Sequence, residues 1–349
     1  MKKTILLTFI SFGIFLFTGC SEAAPVSDFM PIEHNLRLRY EVEGEQFEII
    51  WETFITYVND TIVQRYTRTL VSPMPMNIIE VVDIRQNEIV LINARENAAD
   101  NVDITNLPQA VHSSILAGPI EVGTTWPEAP GSATWRQITG LDISVATPAG
   151  TFDTIEVTTT LPLEPGQIEP GLRRQYFAPG IGMVKEISYS PIVAEGMEPR
   201  IDVTRLISIE RDARLVRDIE IFFGGQAFPF TIEYYTNNSL TDLYTEALHT
   251  VAYQIFGRSL PQSLYINYAI LNPDSRNLAL DFSAAFLTEM SSVSDEGMEW
   301  DILQAIVDTF GALYDAEGVH ISVDGQAYSG RFVSLNMLQF LPRTIAYAE

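Results

Sequence analysis

Cysteine is almost absent from this chain of 349 residues: Cys20 is the only one. No disulfide can form within the chain, no cysteine cluster can hold a metal, and no downstream cysteine can act as a nucleophile. Histidine is scarce too, and His34, His112, His249 and His320 are scattered singly. Metal sites need several ligands converging, so no metal and no cofactor are expected. Lysine is limited to Lys2, Lys3 and Lys185, against 45 acidic residues and a formal net charge of −24. A field of that sign repels nucleic acid and anionic headgroups, which argues against both as direct partners. Also missing are a Gly-x-Ser-x-Gly elbow, a Ser-x-x-Lys pair, a His-Glu-x-x-His helix and a phosphate-cradling glycine loop. The chain is therefore expected to be non-enzymatic.

What is present begins with a leader. Lys2 and Lys3 precede an apolar run at 5–17, too short for an ordinary membrane-spanning helix. The run ends in Phe17-Thr18-Gly19-Cys20. This resembles the bacterial lipobox, in which small residues precede a cysteine that is lipidated and becomes the mature N-terminus. The resemblance implies that residues 1–20 are a lipoprotein signal peptide, that Cys20 carries the lipid anchor, and that the protein sits on the extracytoplasmic face of the cell membrane. Residues 21–32, small, polar and proline-containing, read as a tether.

Residues 33–210 read as a β-rich domain. Short runs of β-branched and aromatic residues fall at 36–42, 47–58, 61–71, 78–85 and 88–93. Residues 106–119 break the pattern and leave room for a short helix. Runs resume at 133–139, 143–147, 154–161, 173–177, 183–190 and 201–209. Pro148-Ala149-Gly150 and Pro179-Gly180 supply the turn chemistry. The stretches TPAGTFDTIEV and YFAPGIGMVKEI look like a recurring sheet domain of bacterial envelope lipoproteins, which implies a curved antiparallel sheet of the LolA/LolB-like sort. A concave apolar sheet can bind a hydrophobic ligand. Trp126 and Trp135 are the aromatics to weigh there, and packing is the favoured role for both.

After a mixed-charge join at 211–217, residues 218–341 read as a second domain. Strands at 219–223 and 228–235 lead to a helix that Ser239 and Asp242 open and Gly257 closes. Leu243, Tyr244, Ala247, Leu248 and Val251 share one face of it. His249 on this helix has no partner at metal-ligand spacing and is expected at the surface or edge. A hairpin at 264–270 and 278–282 precedes a second helix, with Ile302, Leu303, Ile306, Val307 and Phe310 as its stripe. Asp295, Glu296, Glu299 and Asp301 gather at its start, where acidic residues complement the macrodipole; acid–base chemistry is the lesser reading. Val319, Ile321 and Val323 then run into Asp324-Gly325.

The run Leu-Ala-Leu-Asp-Phe-Ser-Ala-Ala-Phe at 278–286, followed by a helix and an apolar strand closing in Asp-Gly, resembles the GerMN family of sporulation and spore-germination domains. The resemblance implies a small two-helix α/β module of non-enzymatic kind that mediates protein–protein contact at the envelope. The expected fold is therefore α+β: an N-terminal antiparallel β-sheet domain followed by the GerMN-like domain. The expected function is a membrane-anchored lipoprotein that docks other envelope or spore-assembly proteins, with oligomerisation open. The alternative is a carrier or sensor that holds a lipid or cell-wall fragment in the β-rich domain.

Overall fold

The computed structural model describes residues 24–43, 49–72, 76–96, 100, 103–163, 169–191, 199–272 and 275–344. The leader and Cys20 lie outside the described residues. From Arg37 to Glu210 the alternation of apolar and polar residues produces β1 (Arg37–Glu43), β2 (Ile49–Asn59), β3 (Ile62–Val71), β4 (Asn77–Arg85), β5 (Glu88–Glu96), β6 (Ser113–Ala117), β7 (Thr125–Pro127), β8 (Trp135–Thr147), β9 (Gly150–Thr160), β10 (Leu172–Ala178), β11 (Gly182–Ser190) and β12 (Arg200–Glu210). Among the described residues these form one sheet of 12 strands, in the order β6-β5-β4-β3-β2-β1-β12-β11-β10-β9-β8-β7.

Every pairing in this sheet is antiparallel. Register breaks at Ile55/Tyr57, Val81/Val82 and Tyr176/Phe177 bend the strands and raise the local twist. The sheet curls until its two end strands meet. The Ser114 N–H donates to the Glu128 carbonyl at 2.6 Å, Trp126 Nε1 donates to the Ser114 carbonyl at 3.3 Å, and Arg136 donates to the Ile115 carbonyl at 3.2 Å. The result is a near-barrel. Leu38, Tyr40, Ile55, Val63, Val82, Ile89, Ile138 and Leu206 belong to its own buried core.

Three expectations for this half are corrected. Residues 106–119 hold no helix; they lead into β6, and the short β7 follows. The runs at 133–139 and 143–147 are one strand, β8, irregular around Gly140, which the break in alternation disguised. The tether reading fails from Val26 onward. Val26–Phe29 forms a 3-10 turn, and Val26, Phe29 and Met30 are buried in the barrel core. A polar, proline-containing composition concealed three well-spaced apolar side chains. Their seat is shaped by glycine: a Cβ on Gly182 (φ +87°) would stand 3.2 Å from Pro31, so both the backbone angle and the contact require its absence.

The C-terminal half opens with the hairpin β13 (Leu215–Phe223) and β14 (Gln226–Tyr234). It continues with α1 (Leu240–Phe256), β15 (Ile266–Asn272), β16 (Asn277–Phe282), α2 (Ala285–Met290), α3 (Glu296–Leu313), β17 (Gly318–Val323), β18 (Gln326–Ala327) and β19 (Leu341–Pro342). The Ser239 hydroxyl accepts the Asp242 N–H at 3.1 Å, and Gly257 ends α1 at φ 68°, as the sequence predicts. β15 and β16 pair antiparallel, and β16 and β17 pair parallel across the α3 crossover. Here too there are corrections. β13 begins at Leu215, inside the expected join, because Ala213 and Leu215 are fully buried. The expected two helices are three: the end of the 278–286 run turns into α2, where Phe286 stacks on Phe282 at 4.4 Å. A helix of 6 residues is too short to display a period.

The two halves share a core. Phe54, Tyr66, Ile79 and Val81, on the barrel's outer face, cluster with Leu215, Tyr234 and the apolar face of α1. Asp100, fully buried in the connection between β5 and β6, accepts hydrogen bonds from the Tyr234 hydroxyl and from Arg217 Nη2, the latter at 3.2 Å. Arg217 also donates to the Leu313 carbonyl at 2.7 Å and lies over the Tyr314 ring. Burial works against the Arg217 charge, but Asp100 more than offsets it and holds the guanidinium above its ordinary pKa.

Candidate functional site: the barrel cavity

The inward positions of the barrel do not fill it. A cavity of about 330 Å³ remains, and the 3-10 turn and the residues after it, Phe29, Met30 and Pro31, form part of its wall. Leu38, Ile55, Ile89, Phe177 and Met183 make it largely apolar. Strand alternation explains the set, since Trp51, Thr53 and Ile55 sit two apart on β2, and Arg65 and Thr67 two apart on β3.

The polar groups in this wall are mostly engaged with one another. Arg65 faces Glu80 across the β3–β4 pair and donates to it at 2.7 Å. Burial opposes the Arg65 charge, but the Glu80 carboxylate outweighs it and raises the guanidinium's pKa. The Thr53 and Thr67 hydroxyls bond each other at 2.8 Å. The Tyr40 hydroxyl donates to the Met183 carbonyl at 2.8 Å, and burial pushes its pKa up. Gln175 donates to Glu186 at 2.8 Å. The Trp51 ring stands edge-on to Tyr40, 5.6 Å between centroids. Chemically this is an apolar chamber with one internally neutralised ion pair. It is suited to holding a molecule, and it brings together no nucleophile–base pair.

The residues singled out from sequence lie elsewhere. Trp126 is buried in the barrel seam, the packing role expected of it. Trp135 is 51% exposed at the start of β8, so packing does not describe it. Neither lines the cavity. His112 meets Gln109 at 3.3 Å. His249, half-buried, lies 2.8 Å from the Leu264 carbonyl. No three His, Cys, Asp or Glu side chains converge as a metal site among the described residues, and no helix there is long and apolar enough to cross a membrane. The acidic group at the start of α3 divides. Asp295 caps the helix, accepting the Met298 N–H at 3.0 Å. Glu299 is fully buried and accepts from the Tyr328 hydroxyl at 2.6 Å and the Phe332 N–H at 2.7 Å. Its work is to hold the C-terminal segment, and the macrodipole reading is corrected for it. Its donors lie too far along the chain for a helix pattern to reveal them.

Trp51, Arg65 and Glu80 were not picked out from sequence. Their signal was a charged pair at inward positions of strands, visible only once β3 and β4 are set in register.

A second surface lies on the C-terminal sheet. Ile270, Ala279 and His320 are cross-strand neighbours, and the Phe340 ring lies 5.7 Å from His320. Ile270 is 59% exposed and Leu338 87%. The outer edge of β15 is partly closed, because the Ile266 and Ala269 N–H groups donate to Thr245 and Thr241 of α1 at 3.1 and 3.0 Å.

No protein-family model and no curated protein matches the chain. Among solved structures, it is similar to a Bacteroides fragilis protein described as exported and as having a YmcC-like fold. That likeness has a TM-score of 0.35 and 14% identity, and covers 53% of this chain and 99% of the other. A Parabacteroides distasonis protein described as a lipoprotein gives a TM-score of 0.30 and 13% identity, over 52% and 98% of the two chains. Likenesses this distant carry no argument about function.

Proposed function

We propose that this is an extracytoplasmic protein, anchored to the membrane through Cys20, that carries a small amphiphilic ligand inside its β-barrel. The observation that supports the reading is the apolar cavity of about 330 Å³ at the centre of the barrel, within the size range of small-molecule sites. The leader ending in Cys20 supports the location. In a titration of the mature chain without its lipid, N-phenyl-naphthylamine binds one per chain, with a rise in its fluorescence. Ile78→Trp, which projects an indole into the space that Ile78 lines, abolishes that binding while the far-ultraviolet circular dichroism is unchanged. Absence of binding, or binding at many weak sites, would sink the reading.

A second reading, docking through the GerMN-like half, is favoured by the exposed row formed by Ile270, Ala279, His320 and Phe340. Contiguous exposed apolar surface marks interaction sites. Crosslinking in intact cells should recover one defined envelope protein with the native chain and none with Ile270→Asp. Equal recovery with both would remove this surface from consideration.

A further inference from the structure

The cavity wall contains a donor with nothing to bond. The Trp51 indole Nε1–H is buried and has no hydrogen-bond partner among the described residues, although its ring lines the cavity. Its polar neighbours are committed elsewhere: Thr53 to Thr67, Tyr40 to the Met183 carbonyl, and Arg65 to Glu80. A buried indole N–H usually finds a partner, and leaving one unpaired forfeits its hydration without return. The group is accounted for if the ligand brings the acceptor.

Two further observations narrow that ligand. At about 30 Å³ per water-sized group, the space holds roughly ten to twelve heavy atoms. One aliphatic chain fits and a pair of chains does not. The charged residues lining it are Arg65 and Glu80, already paired. No surplus charge is left to meet an ionic head, and the chain as a whole, at −24, repels an anionic one. We infer that the ligand is a single-chain amphiphile with an uncharged head, whose carbonyl oxygen accepts the hydrogen bond of the Trp51 indole. This rests on the cavity being a binding site.

Three probes of matched chain length test it by calorimetry on the mature chain without its lipid. They are monolauroylglycerol, the corresponding dodecylglycerol ether, and dodecanoate. The ester and the ether differ at the carbonyl oxygen. The ester binds about tenfold more tightly than the ether, the worth of one well-placed hydrogen bond in a dry site, and more tightly than dodecanoate. Trp51→Phe, which keeps an aromatic ring and removes the donor, brings the ester down to the affinity of the ether. Equal affinities for ester and ether in the native chain, or dodecanoate as the tightest of the three, would overturn the inference and leave the cavity reading standing. If none of the three binds and the naphthylamine probe does not bind either, both fall together.

Discussion

Asp100→Ala is expected to lower the unfolding free energy by about 3 kcal/mol. Asp100 is fully buried and holds Arg217 at 3.2 Å together with the Tyr234 hydroxyl. Removing it strands a guanidinium that is only 22% exposed, and it takes the acceptor from a buried phenol. The loss reflects uncompensated polar groups more than the attraction of the pair itself. The double substitution Asp100→Ala with Arg217→Met should therefore regain most of it, since buried ion pairs replaced by apolar groups are often near neutral. Urea unfolding followed by tryptophan fluorescence measures both. A cost below about 1 kcal/mol for the single variant would mean that the pair is solvated and does not join the two halves as described.

The second large effect is expected at Glu299. In Glu299→Ala the Tyr328 hydroxyl and the Phe332 N–H both lose their acceptor in a site without solvent. Two unsatisfied donors and the vacated volume together cost about 4 kcal/mol. The damage should be local. Amide hydrogen exchange should rise through residues 326–344 and the start of α3, while the barrel strands keep their protection. Gly330→Ala should give the same pattern, because a Cβ there would lie 1.9 Å from Glu299 Oε1 and 2.2 Å from the Tyr328 hydroxyl. Loss of protection spread evenly over the barrel would show that the C-terminal segment is not held by this carboxylate.

These two carboxylates also show where sequence reading stops. The strands and long helices were legible because alternation and the spacing of three and four report directly on which side is buried. Ser239 and Gly257 were legible as caps because capping is local chemistry. Glu299 looked like any first-turn acid, and Asp100 like part of a polar loop. What distinguishes them is a partner far along the chain, Phe332 for one and Arg217 for the other. The cavity was hidden for the same reason. Arg65 and Glu80 become neighbours only when β3 meets β4, and Trp51 becomes a wall residue only when the sheet curls. Trp126 and Trp135 drew notice because they stand beside turns, yet one lies in the seam and the other in solvent. Phe29 and Met30 were overlooked because composition averages over a segment, whereas packing depends on single positions.

The 3-10 turn at Val26–Phe29 has a mechanical consequence. On the anchored reading, Cys20 to Val26 spans at most about 21 Å of extended chain, so the barrel rides against the bilayer with little leash. Any load between membrane and protein is carried first by this turn. The turn ends in Phe29, and with Met30 and Pro31 it forms part of the cavity wall. Load reaches the cavity before it reaches the strand ladders behind it. Leash and door are thus one piece of chain, and tension on the first is force applied to the second.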